Sequence, residues 1–141
     1  MLVFAIGTAL LSLLFAAVLA WSVLKQPAGA EKMVEISKAV QEGAMAYMKR
    51  QYKGVGIIAA IVAVVLGFAI NLYTASGFLL VVFSSALTGF IGMSVSVRSN
   101  VRTATAAKKG LNEALRLAFK GGAVTGFAVV GLGLLGVAGL V

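Results

Sequence analysis

The chain has no cysteine, no histidine and no aspartate, and one proline, Pro27, among 141 residues. Without cysteine there can be no disulfide and no thiolate metal site, and the redox compartment is left undetermined. Without histidine or aspartate, the only carboxylates are Glu31, Glu35, Glu42 and Glu113. Three of these are spread along one segment and the fourth stands alone, so they do not form the cluster that a magnesium-bearing phosphate compound requires. No G-x-x-x-x-G-K-[ST] string is present, which removes a Walker-type phosphate loop.

Charge itself is absent over most of the sequence. All 12 basic and 4 acidic residues fall within 25–53 and 98–120, leaving 1–24, 54–97 and 121–141 uncharged. A helix rises about 1.5 Å per residue and the hydrocarbon core is about 30 Å thick, so roughly 20 apolar residues cross it once. The three blanks accordingly read as one, two and one spans. A hydrophobic content of 61% and a mean hydropathy of +1.06 agree. The fold class is therefore all-α and integral to the membrane, as a single unit over 1–141, with spans predicted at about 3–24, 54–72, 78–97 and 122–141. The middle block must reverse direction, and its one polar cluster, residues 71–77 (NLYTASG), offers turn formers and an interfacial tyrosine, Tyr73.

Orientation follows from the lysines and arginines, six in 25–53 and six in 98–121 with none elsewhere. Both loops are expected on the cytoplasmic side, which places Met1 and Val141 outside. Basic residues beside spans act as topology determinants and as contacts for anionic lipid, and nucleic acid is not an expected partner. Ala28-Gly29-Ala30 resembles a signal-peptide cleavage site. However, no basic residue precedes the first apolar run, and that run is too long for an h-region, so residues 1–24 read as a retained span anchored by Trp21.

The loops carry their own pattern. Met33, Ile36, Val40, Ala44 and Tyr47 recur at spacings of three and four, as do Leu111, Ala114, Leu115, Ala118 and Phe119. Each set predicts an amphipathic helix. The first either runs unbroken into the second span as a rod of about 40 residues, with Gly43, Gly54 and Gly56 as weak points, or lies along the headgroups. The second leads into the fourth span. Seven of the 17 glycines lie between 121 and 139, which predicts close packing of that span. Gly122 and Gly126 supply a small-xxx-small pair, and Gly89 with Gly92 a smaller patch. No span holds an ionisable residue, so none supplies a proton or sodium path. No catalytic, cofactor-binding or metal-binding residue is assigned, and the residues read as scaffold.

Three strings, 39–52 (AVQEGAMAYMKRQY), 91–107 (IGMSVSVRSNVRTATAA) and 110–139 (GLNEALRLAFKGGAVTGFAVVGLGLLGVAG), resemble the amino-terminal part of the membrane-bound ion-translocating inorganic pyrophosphatases. Ser94 and Ser99 depart from the Asn and Ala expected there. The resemblance implies a homodimer whose subunits are bundles of about sixteen helices. Such a dimer hydrolyses inorganic pyrophosphate with magnesium on the cytoplasmic side and pumps protons or sodium outward. It implies too that the substrate site and ion gate belong to later, Asp-rich helices of an inner ring, which four outer helices like these would brace. No gate or catalytic residue carries over to this sequence. The chain stops in an apolar run and is expected to continue into the remainder of the same polypeptide. The alternatives are a small multi-pass membrane assembly protein or the first helices of an unrelated transporter.

Overall fold

A computed structural model describes residues 1–139, and among them the chain forms four helices and no strand: α1 (Leu2–Leu24), α2 (Glu31–Ala69), α3 (Leu72–Ala107) and α4 (Leu111–Ala138). All four are long and apolar enough to cross a membrane. The last two residues of the span predicted at 122–141, Leu140 and Val141, lie outside the described residues.

The amphipathic segment and the second span are one helix. α2 runs 39 residues without interruption, about 58 Å at 1.5 Å per residue, so the rod is realised rather than a helix lying along the headgroups. α3 also continues past its predicted end at 97, through ten more residues to Ala107. Nothing in residues 98–107 breaks a helix, and Ser99 and Val101 are buried there. The second loop shrinks to Lys108–Gly110, where Gly110 has φ of +146°, a conformation that costs glycine little. The α2–α3 reversal is likewise tighter than the predicted 71–77 turn. Asn71 caps α3 by accepting from the Thr74 N–H at 2.8 Å and the Thr74 hydroxyl at 2.9 Å, so Tyr73 to Gly77 are already its first turns. A side-chain oxygen at the N-cap satisfies a donor that the helix cannot, and this starts α3 about six residues before the apolar pattern alone suggests.

α3 is the centre of the arrangement. It packs on α2 along one side and on α4 along the other, while α1 lies against α4 and meets only the edge of α3. Small side chains dominate the contacts. Ala9, Val23, Val124 and Ala128 are essentially inaccessible, and Phe15 packs on Phe127 with ring centroids 5.3 Å apart. A Cβ on Gly131 would stand 2.6 Å from Leu13 Cγ, one on Gly92 2.8 Å from Thr125 Cγ2, and one on Gly121 2.8 Å from the Ser99 hydroxyl. Missing side chains thus let the backbones approach, which is how helices associate where lipid gives no hydrophobic drive. On α3 the glycines expected from the sequence are in place, Gly92 against Thr125 and Gly89 with a would-be Cβ 3.0 Å from the Tyr52 hydroxyl, but on α4 the residues differ from the pair singled out in the sequence. Gly121, Val124, Ala128 and Gly131 form the inward row of α4, whereas a Cβ on Gly122 or Gly126 would meet nothing within 4 Å.

Candidate functional site

The polar chemistry of the chain gathers at the basic end of the bundle, where the α1–α2 connection lies across α3. Arg102 reaches back along its own helix and off it. Its Nε sits 3.2 Å from Leu24 O and 3.0 Å from Gln26 O, and its Nη1 donates to Arg98 O at 2.6 Å. Leu24 O at the end of α1, Gln26 O in the connection and Arg98 O within α3 thereby share a guanidinium, whose charge makes each bond stronger than a neutral one. One turn on, Thr105 Oγ1 lies 2.8 Å from Val101 O and 3.1 Å from Ala28 O, with one proton to serve either. Gly29, at φ of +90°, turns the chain over this point, and a Cβ there would collide with the Thr105 hydroxyl. The Lys25 ammonium sits 4.8 Å above the Trp21 ring, in a cation–π contact that fits a membrane interface.

The second polar anchor is at mid-bundle. Tyr52 of α2 donates its hydroxyl to Ala86 O of α3 at 2.7 Å. A tyrosine half-buried between apolar helices needs such a partner, and Ala86 O is accepting this bond as well as its place in the helix ladder.

A groove of about 590 Å³ runs between α3 and α4, and its floor is Thr88, Gly92, Ser96 and Thr125. It contains no ionisable group. The Thr88 hydroxyl is already engaged, donating to Ser84 O at 2.8 Å. The groove has the character of a packing surface and offers no acid, base or nucleophile.

Among the described residues no three His, Cys, Asp or Glu side chains come together. Glu31, Glu35 and Glu42 are distributed along the exposed side of α2, and Glu113 lies in the first turn of α4. What sequence reasoning did not find is the Arg102–Thr105–Gly29 junction. Nothing in the local pattern of 98–107 names its partners 76 to 78 residues earlier.

Compared with known proteins, the family profile described as inorganic H+ pyrophosphatase matches residues 10–141. The chain belongs to this family. It is 52% identical over 133 residues to the K(+)-insensitive pyrophosphate-energized proton pump of Methanosarcina mazei, covering 93% of this chain and 20% of that protein. It is 48% identical over 132 residues to a K(+)-insensitive pyrophosphate-energized proton pump of Moorella thermoacetica, covering 93% and 19%. A putative K(+)-stimulated pyrophosphate-energized sodium pump of Bacteroides thetaiotaomicron is 41% identical over 133 residues, covering 89% and 18%. The chain therefore spans about a fifth of the length of these relatives. Several of the contacts just described have one partner in the three strings that resemble the H+ pyrophosphatases. Tyr52 lies in the first, Gly92, Ser99, Arg102 and Thr105 in the second, and Gly121, Thr125 and Gly131 in the third.

Proposed function

We propose that the chain forms the amino-terminal, outer helices of a membrane pump that couples hydrolysis of inorganic pyrophosphate to movement of protons or sodium, and that it acts there as scaffold. The observation that carries the reading is a pairing: membership of the H+ pyrophosphatase family over a fifth of its relatives' length, together with spans that hold no ionisable side chain. Translocation normally runs along ionisable groups facing a bundle interior. Pyrophosphate hydrolysis draws on clustered carboxylates holding magnesium. In this proposal the magnesium, the pyrophosphate and the ion gate belong to the remainder of the polypeptide, which works as a homodimer, and α1–α4 brace it.

The test is reconstitution. Residues 1–141 in liposomes with magnesium pyrophosphate are expected to release no phosphate and to change neither internal pH nor sodium beyond empty liposomes, whereas the complete gene product does both. Phosphate release by residues 1–141 alone would defeat the scaffold reading. A complete product inactive toward pyrophosphate would defeat the pump reading.

A further inference from the structure

The outer face of α2 changes character at one level. Lys49, Lys53, Ile57 and Ile61 follow one another at steps of four, so they form a single row along the helix, and Arg50 adjoins Lys53 at a step of three. All five are exposed, because Met48, Tyr52 and Ala59 take the side that faces α3. Beyond Ile61 the row continues with Val64 and Phe68, 57% and 92% exposed. Three cations thus cap an apolar stripe of the same face, and like charges at steps of three and four repel unless an anion lies between them. The chain does not provide one. The nearest acid on α2 is Glu42, about two turns below Lys49, and Glu113 is on α4, which does not pack against α2.

Depth makes the need for an anion sharper. The Tyr52–Ala86 hydrogen bond sets Lys53 about level with Ala86 on α3. The first cation of α3 itself is Arg98, about 18 Å further toward the basic end at 1.5 Å per residue. Lys49, Arg50 and Lys53 therefore stand beside a stretch of α3 that is wholly uncharged, where an uncompensated cation is costly. Side chains on a helix lean toward its N-terminus, which for α2 is the basic end. The three stems consequently run along the apolar surface and carry their charges toward headgroup level.

We propose that Lys49, Arg50 and Lys53 form a binding site for the phosphate of anionic phospholipid headgroups, with the acyl chains lying along Ile57, Ile61 and Phe68. The occupant is a lipid and not a soluble phosphate because the cations are continuous with the apolar stripe. A free anion would use the charges and leave the stripe bare.

The complete gene product in nanodiscs of phosphatidylcholine with a minority of phosphatidylglycerol provides the test, with retained lipid read by native mass spectrometry. The triple variant Lys49→Gln, Arg50→Gln, Lys53→Gln is expected to retain roughly tenfold less phosphatidylglycerol. The charge-conserving set Lys49→Arg, Arg50→Lys, Lys53→Arg and the control Lys32→Gln, Lys38→Gln should retain it as the parent does. Equal retention in the triple Gln variant overturns the site, and an equal loss in the control reduces it to non-specific attraction and overturns it too. A second measurement leaves the cations intact. A fluorophore on Ile57→Cys should be quenched more by spin-labelled phosphatidylglycerol than by spin-labelled phosphatidylcholine. Equal quenching overturns the preference for anionic lipid. Absence of quenching by either shows that protein covers this face, and excess inorganic phosphate abolishing the difference shows a soluble-anion site; each overturns the proposal.

Discussion

The guanidinium of Arg102 collects carbonyls from the end of α1, from the loop after it and from α3 itself. A hydrogen bond involving a charged group contributes about 1.5–3 kcal/mol, and part of that survives at this half-buried position. Arg102→Ala should therefore loosen the 25–30 connection more than it unfolds any helix. Trypsin cleavage after Lys25 is the measurement, expected to accelerate several-fold in Arg102→Ala while cleavage after the exposed Lys108 stays unchanged. Glycines permit an equally local comparison. Gly131→Leu would drive a side chain into Leu13 and against Ala9 O, where even a Cβ has 3.1 Å, and overpacking of this kind costs about 1–3 kcal/mol. Gly122→Leu meets open space in this chain, so in residues 1–141 alone the thermal stability in detergent should fall for Gly131→Leu and stay within error for Gly122→Leu. If both fall equally, the inward row of α4 is not the one described.

At the scale of the element, the long helices explain which parts of the fold were legible. Four spans could be read because charge and hydropathy are local properties of a sequence, and a bilayer turns them directly into helices. Helix ends were less legible because they depend on single side chains. The sequence pattern places Asn71 in a turn, whereas its oxygen caps α3 and makes most of that turn helical. The packing face of α4 was legible in composition and not in register, since Gly122 with Gly126 and Gly121 with Gly131 are indistinguishable until the partners Ser99 and Leu13 are known. The Arg102 junction was not legible at all, because its bonds cross more than seventy residues. α2 also carries a prediction of its own. Gly54 and Gly56 lie inside a continuous helix with no atom within 4 Å of an added Cβ. Gly54→Ala and Gly56→Ala should then each stabilise it by about 0.5–1 kcal/mol, seen as a higher midpoint in thermal melts of helicity. A lower midpoint would mean that another helix approaches α2 there.

For the molecule as a whole, the charge asymmetry has to be reconciled with helices that project well past the bilayer. The cations lie in the connection between α1 and α2, along α2 as far as Lys53 at mid-helix, at the end of α3, in the α3–α4 connection and in the first part of α4, and the α2–α3 hairpin at the other end has none. Retention of Lys and Arg on the cytoplasmic side predicts that this basic end stays inside and the hairpin reaches out. Lys38, Ser76 and Ala107 are exposed, one on each helix end or hairpin that the prediction concerns. Single cysteines at Lys38, Ser76 and Ala107, in a background without other cysteines, should react with a membrane-impermeant maleimide in intact cells only at Ser76. All three should react after permeabilisation. Ser76 lies one helical turn from the capping Asn71–Thr74 contact and its hydroxyl donates to Tyr73 O, so the substitution removes one local hydrogen bond and leaves the N-cap in place. Labelling of Lys38→Cys or Ala107→Cys from outside, with Ser76→Cys protected, would invert the orientation. It would put the Lys49–Lys53 row toward the outer headgroups instead of the cytoplasmic ones.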